Sequence, residues 1–155
     1  LQKLGENIAQ KNLRVSFEAA STQTLAAPWS HLEMLFRNVL ENAVKYSQVG
    51  GEIKIKCGSQ TFEVENQCPK IEGWDDDKIF EAFFRPDASR TSQTGGNGLG
   101  LAICKAICDA NDWQLSVHQI DDGVRARVDF FRSATQGSTP GHSSMAESEE
   151  GKTKS

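Results

Sequence analysis

"HLEMLFRNVLENAVKYS", residues 31–47, is the stretch on which the fold turns. Leu32, Leu35, Phe36, Val39, Leu40, Ala43 and Val44 recur at three- and four-residue spacings, the period of a helix with one buried face. Pro28 suits the first turn of that helix, Ser30 is a second capping candidate, and the pattern runs to about Ser47. Asn38 and Asn42 stand outside the pattern. Asparagine is a mediocre helix former because its amide competes for backbone hydrogen bonds. Asn38, Asn42 and Lys45 share one side of the helix, beside the apolar face. A solvated polar face and a binding site both account for them at this point.

Before the helix, "LRVSFEA" alternates Leu13, Val15 and Phe17 and reads as a strand. The polar, helix-compatible "LQKLGENIAQKN" ahead of it is expected to be the end of a preceding helical element or a linker, residues 1–12. After the helix, Gly50-Gly51 marks a turn. "EIKIKCG" and "TFEVEN", joined by "GSQ", predict a hairpin. From about Gln67 to Asn97 only "DDDKIFEAFF" reads as helical, and a loop that long inside a compact domain is usually functional. "GLGLAICKAICDAND" predicts a second good helix, with Leu99, Ala102, Ile103, Ala106, Ile107 and Ala110 on its apolar face. "WQLSVHQI" and "VRARVDFF" are strands around Asp121-Asp122-Gly123. Residues 133–155 are Ser, Thr, Gly and Glu with almost nothing apolar, and a disordered tail is expected there. The order predicts a two-layer α/β sandwich: a mixed five-stranded sheet with about three helices on one face, spanning residues 13–132.

The 155 residues suit one domain, and 37% hydrophobic with 25% charged residues is a globular composition. A net charge of -4 offers no overall basic field for nucleic acid or an anionic membrane, so the positive partners of any anionic ligand must be local. No apolar run reaches bilayer length, and no signal-peptide pattern is present. The chain begins at Leu1, so a membrane anchor in a longer protein remains compatible with it. Cys57, Cys68, Cys104 and Cys108 form no CxxC pair and no metal-ligand spacing. Cys104 and Cys108 share a helix face as small packed residues, and a reducing, cytoplasmic setting is expected.

"TGGNGLGLAI" places Gly95, Gly96, Gly98 and Gly100 before and inside a helix start. Glycine in a first turn costs about 1 kcal/mol relative to alanine, and close approach of a ligand to the backbone is the usual compensation. Free N–H groups there make an anion site. A loop that merely turns sharply into a helix explains the same residues. The stretch is neither a P-loop, since no GKS or GKT follows, nor the dinucleotide fingerprint, since no strand runs directly into it.

Taken in order, "NVLENAVKYS", "KIFEAFFR" and "GGNGLGLAI" resemble the N box, F box and second glycine box of the ATP-binding domain of sensor histidine kinases. That superfamily also includes DNA gyrase, heat-shock chaperones and mismatch-repair ATPases, and the resemblance covers roughly residues 13–131. It implies ATP and Mg2+ as cofactors, with Asn42 ligating the metal that bridges the phosphates and Asn38 lining the same site. A neutral amide oxygen suits Mg2+, which keeps several waters and takes few protein ligands. Lys45 and Tyr46 match positions that meet phosphate and nucleotide, and Glu41 matches one that orients a water or the metal. Gly96, Gly98 and Gly100 would wrap the phosphates through their backbone, with Leu99 and Leu101 packed inward. Phe80 and Phe83 resemble the F-box aromatics that anchor one end of a lid. Arg85 and Arg90 would offset γ-phosphate charge.

The first glycine box departs from the family's Asp-x-Gly-x-Gly-Ile. Here it reads Asn66-Gln67-Cys68-Pro69-Lys70-Ile71, with Asn66 where an aspartate meets the adenine amine and neither glycine kept. Weaker ATP binding is expected. Superfamily ATPases carry a glutamate where this chain has Asn38, so the resemblance favours phosphotransfer over fast hydrolysis. His31, His118 and His142 lack the context of a phosphate acceptor. The acceptor histidine is expected on a helical domain outside this chain, in a homodimer that serves a response regulator. The alternatives are a non-catalytic nucleotide-sensing module, or a superfamily ATPase or anti-sigma-type serine kinase.

Overall fold

The computed structural model describes residues 2–20, 25–86 and 98–131. Its elements are α1 (Gln2–Gln10), β1 (Arg14–Ala19), α2 (Trp29–Tyr46), β2 (Glu52–Cys57), β3 (Thr61–Gln67), α3 (Gly100–Ala110), β4 (Gln114–Ile120) and β5 (Gly123–Asp129). The five strands form one sheet in the order β1-β2-β3-β5-β4. β1 runs parallel to β2, as a strand–helix–strand crossover through α2 requires, and the other three pairings are antiparallel. The mixed sheet with three helices is the two-layer α/β arrangement that the sequence predicts.

The register assigns the two faces. Phe62, Val64 and Asn66 of β3 pair with Cys57, Ile55 and Ile53 of β2 and with Val128, Ala126 and Val124 of β5. All of these side chains therefore share the inner face, because paired residues point the same way. α2 and α3 cover that face with Leu35, Val39, Ala43, Cys104, Ile107 and Cys108. The outer face carries charge: Glu65 accepts from Arg125 at 2.6 Å, and Glu63 meets Lys56 and Arg127. One open charged face and one covered apolar face define the two layers.

Two expectations change. Val15 and Phe17 share the inner face by register with Ile53 and Ile55, yet they are 47% and 64% exposed. They lie on the edge strand, beyond the reach of the helices. "DDDKIFEAFF" forms a short run of hydrogen-bonded turns rather than a helix. Asp75 opens it by accepting from the Asp77 N–H, and the Ile79 N–H closes its first turn on the Asp75 carbonyl at 2.9 Å. The chain then leaves the helical region, because Phe83 takes φ 67°. All four cysteines are free thiols. Burial pushes Cys104 up to about 12 and Cys108 up to about 11, so both behave as packing residues.

Candidate functional site

α2 is helical because its apolar positions pack on β3 and α3, and the same 18-residue helix carries Asn38 and Asn42 along one edge of that buried stripe. The edge borders a cleft of about 830 Å3 between the helices and the inner face of the sheet. Asn38, Glu41, Asn42, Lys45 and Tyr46 line one wall, and Gly98, Leu99, Gly100 and Leu101 line the facing one. Val64, Val117, Val124 and Ala126 form an apolar floor beside Asn66, with Trp74, Ile79 and Phe84 at its margin.

The two helical walls nearly touch. Asn38 donates from Nδ2 to the Met34 carbonyl at 2.8 Å, which turns Oδ1 toward α3. A Cβ placed on Gly100 would stand 3.1 Å from Asn38 Oδ1, and 3.5 and 3.7 Å from the Asn42 amide atoms. Glycine at position 100 thus lets the first turn of α3 stand against both carboxamides. Among the described residues no side chain caps that turn, which lies at the positive end of the helix dipole. Two neutral carboxamides and a helix start therefore share one space.

Gly98, which lines the cleft, also has a backbone role of its own. It takes φ +66°, and a Cβ there would lie 2.9 Å from the backbone of Phe83. The Phe83 N–H donates to the Gly98 carbonyl at 2.9 Å, clipping the turn after Ile79 to the start of α3. The Phe83 ring is 72% exposed, so this residue anchors through its backbone and not through the aromatic side chain.

Lys45 carries the local positive charge on the α2 wall. Burial first, and the nearby Arg85 guanidinium second, hold its ammonium below the ordinary lysine value. Its Nζ also sits 5.1 Å from the Tyr46 ring centroid. Tyr46 lines the cleft and packs against the core. Arg85 is half-buried and does not line the cleft, although its charge is felt at Lys45. Phe80 packs on the core, and Ile71 is 7% exposed with its N–H donating to Gln119 Oε1 at 2.5 Å; neither lines the cleft. Arg90 and Gly96 lie outside the described residues.

Lys3, Leu4, Asn7 and Lys11 line the cleft from a segment that the sequence shows only as polar. Lys11 donates from Nζ to the carbonyls of Val44, Lys45 and Ser47 at 2.9, 2.7 and 2.9 Å, satisfying the C-terminal carbonyls of α2. No local pattern could have announced it, because these partners lie 33 to 36 residues away.

Among the described residues no group of three His, Cys, Asp or Glu side chains could hold a metal ion. A cation here would take a carboxamide oxygen, its own waters and the oxygens of an anionic ligand, which is the donor set Mg2+ favours. Asn42 fits that role.

Residues 29–150 match the family described as histidine kinase-, DNA gyrase B-, and HSP90-like ATPase. The signal transduction histidine-protein kinase BaeS of Escherichia coli is 32% identical over 130 residues, 81% of this chain and 28% of that protein. The phosphate regulon sensor protein PhoR of Pseudomonas aeruginosa is 33% identical over 116 residues, 72% of this chain and 26% of that protein. The chain thus spans about a quarter of the length of these relatives. The mycobacterial sensor histidine kinase MprB superposes with a TM-score of 0.68 at 24% identity, over 82% of this chain and 89% of that one. The nucleotide-free catalytic domain of histidine kinase ThkA gives 0.67 at 26% identity, over 82% of this chain and 85% of that one. With most of its length matched and the same layered fold, this chain belongs to the histidine kinase-, DNA gyrase B- and HSP90-like ATPase family.

Proposed function

We propose that the chain is the Mg-ATP-binding catalytic domain of a two-component sensor histidine kinase, passing the γ-phosphate of ATP to a histidine on a separate acceptor domain. The observation that carries this reading is the apposition of Asn38 and Asn42 with the glycine-started first turn of α3. Phosphate oxygens would accept from the α3 N–H groups, and Lys45 would add a point charge from the opposite wall. Asn42 Oδ1 would hold Mg2+, which when bound neutralises charge on the β- and γ-phosphates. The apolar floor would take the flat base. Asn38, being neutral, cannot remove a proton from water, which disfavours hydrolysis. Glu41 supplies the carboxylate among the described residues lining the cleft, suited to orient an incoming imidazole N–H or a water. Arg85 is a candidate to offset γ-phosphate charge from beyond the cleft wall.

In the full-length protein the acceptor histidine would lie on a helical domain preceding residues 1–12, in a homodimer that serves a response regulator. The proposal puts the catalytic domain, residues 13–132, in the cytoplasm, where ATP is available. Among the described residues no helix is long and apolar enough to cross a membrane. A second reading, a nucleotide-sensing module without phosphotransfer, is favoured by the altered run Asn66-Gln67-Cys68-Pro69-Lys70-Ile71. Incubation with γ-labelled ATP and a separately supplied acceptor domain distinguishes the two. Label on the acceptor histidine, with little free phosphate, is the expected outcome. Magnesium-dependent binding without transfer would favour the sensing module, and rapid phosphate release would favour an ATPase.

A further inference from the structure

We infer that Asn66 reads the base of the bound nucleotide and lets the cleft accept 6-oxo purines, guanine and hypoxanthine, alongside the 6-amino purine adenine. The inference rests on the nucleotide-binding reading of the cleft. Asn66 and Ser47 are the buried polar side chains among the described residues. Ser47 is satisfied, its hydroxyl donating to the Ala43 carbonyl at 2.7 Å. Asn66 is 5% exposed, and its Nδ2 is shielded from water with no hydrogen-bond partner among the described residues. Leaving such a donor unmatched costs about 1–3 kcal/mol, so a native protein that keeps one is expected to match it at some stage of its function.

The surroundings say what kind of partner. Asn66 lines the cleft next to Val64, Val117, Val124 and Ala126. These side chains offer no hydrogen bond and suit the face of a flat aromatic ring. A purine lying on them would bring its polar edge to the one buried amide. A carboxamide presents a donor and an acceptor side by side, and its last torsion is broad and roughly two-fold, so the two ends exchange readily. In one orientation Oδ1 accepts from the 6-amino group of adenine while Nδ2 donates to N1. In the other, Nδ2 donates to the 6-oxo group while Oδ1 accepts from the N1–H of guanine or hypoxanthine. A carboxylate at this position offers acceptors only. It could accept from the 6-amino group of adenine or from the N1–H of a 6-oxo purine, but its second oxygen would then face an acceptor, N1 or the 6-oxo oxygen, lone pair against lone pair. Asn66 is therefore a specificity-determining residue whose amide leaves both purine classes admissible.

The test titrates Mg-ATP, Mg-GTP and Mg-ITP into the full chain, into Asn66→Asp and into Asn66→Ala, each variant first checked for a native fold. The wild type is expected to bind ATP and GTP within about fivefold of one another, because each base makes a two-point contact with the amide. Asn66→Asp should weaken ATP and ITP alike by about tenfold or more, since each loses one of its two contacts, whereas guanine can offer the carboxylate its N1–H and 2-amino group together. Asn66→Ala should weaken all three and leave their ratio close to that of the wild type. A wild type that binds ATP but rejects GTP and ITP by about a hundredfold overturns the inference while sparing the nucleotide site, and this comparison needs no variant. Unchanged ATP and ITP affinities in a folded Asn66→Asp overturn it too. If no purine nucleotide binds the wild type, the reading of the cleft falls and the inference with it.

Discussion

Gly98→Ala separates the contribution of backbone geometry at the cleft from that of any ligand. Gly98 has φ +66°, where an L-residue pays about 1–2 kcal/mol. The new Cβ would also lie 2.9 Å from both Cα and the carbonyl carbon of Phe83, and 3.0 Å from the Phe84 oxygen. These neighbours are backbone and cannot swing aside. The contact held in place is one hydrogen bond, from the Phe83 N–H to the Gly98 carbonyl at 2.9 Å, worth about 0.5–1.5 kcal/mol net. Strain plus overlap therefore exceeds the bond, and the cheaper response is to part the two backbones there. Global stability should fall by about 0.5–1.5 kcal/mol, capped by the loss of this contact, while the α2–α3 packing and the sheet persist. Native-state amide exchange should show Phe83 losing protection by about tenfold, with amides of β3 and β5 little changed. Gly98→Asn sharpens the test. Asparagine tolerates positive φ but keeps the Cβ, so it should behave nearly as alanine does. Full protection of the Phe83 amide in Gly98→Ala, with unchanged urea stability, would refute the reasoning.

Lys11→Met should destabilise the fold by about 1–3 kcal/mol, because three carbonyls at the end of α2 lose their donor. It should also weaken Mg-ATP binding, since Lys45 sits in the turn so released; urea denaturation and calorimetry check the two effects. The pH dependence of binding follows from Lys45, whose ammonium lies below 10.5 through burial and then the Arg85 charge. A bound phosphate would raise it again, so binding takes up a proton. Affinity should be full below the free-state value and decline as pH rises through it, on the acid side of 10.5. Arg85→Ala should move that decline to higher pH, and titrations across the alkaline range read the shift.

Much of this arrangement was legible in the residues themselves. The i,i+3,i+4 stripe from Leu32 to Val44 fixed α2, and the alternation of Phe62 and Val64 fixed β3. Both hairpins followed from short polar connections. The carboxamides stood out because nothing in an amphipathic stripe calls for them. What stayed hidden depends on contacts distant in sequence. Lys11 meets its three acceptors only once α1 lies beside α2. Val117, Val124 and Ala126 sit in segments that read only as strands, and they become a floor because they border the cleft between the helices and the sheet. "KIFEAFF" carries helical spacing, but Phe83 at φ 67° ends the turn where the chain must meet Gly98. Asn66 alternated correctly with the buried positions of its strand, yet its polarity concealed that it is itself buried.

Calorimetric titration of ATP into the wild type and into Asn42→Ala, each with Mg2+ and with chelator, tests the site most directly. The wild type should bind tightly only with magnesium, and the variant should bind weakly and equally under both conditions. If Asn42→Ala keeps the wild type's magnesium-dependent affinity, the carboxamide at position 42 does not hold the cation, and the proposed site is wrong.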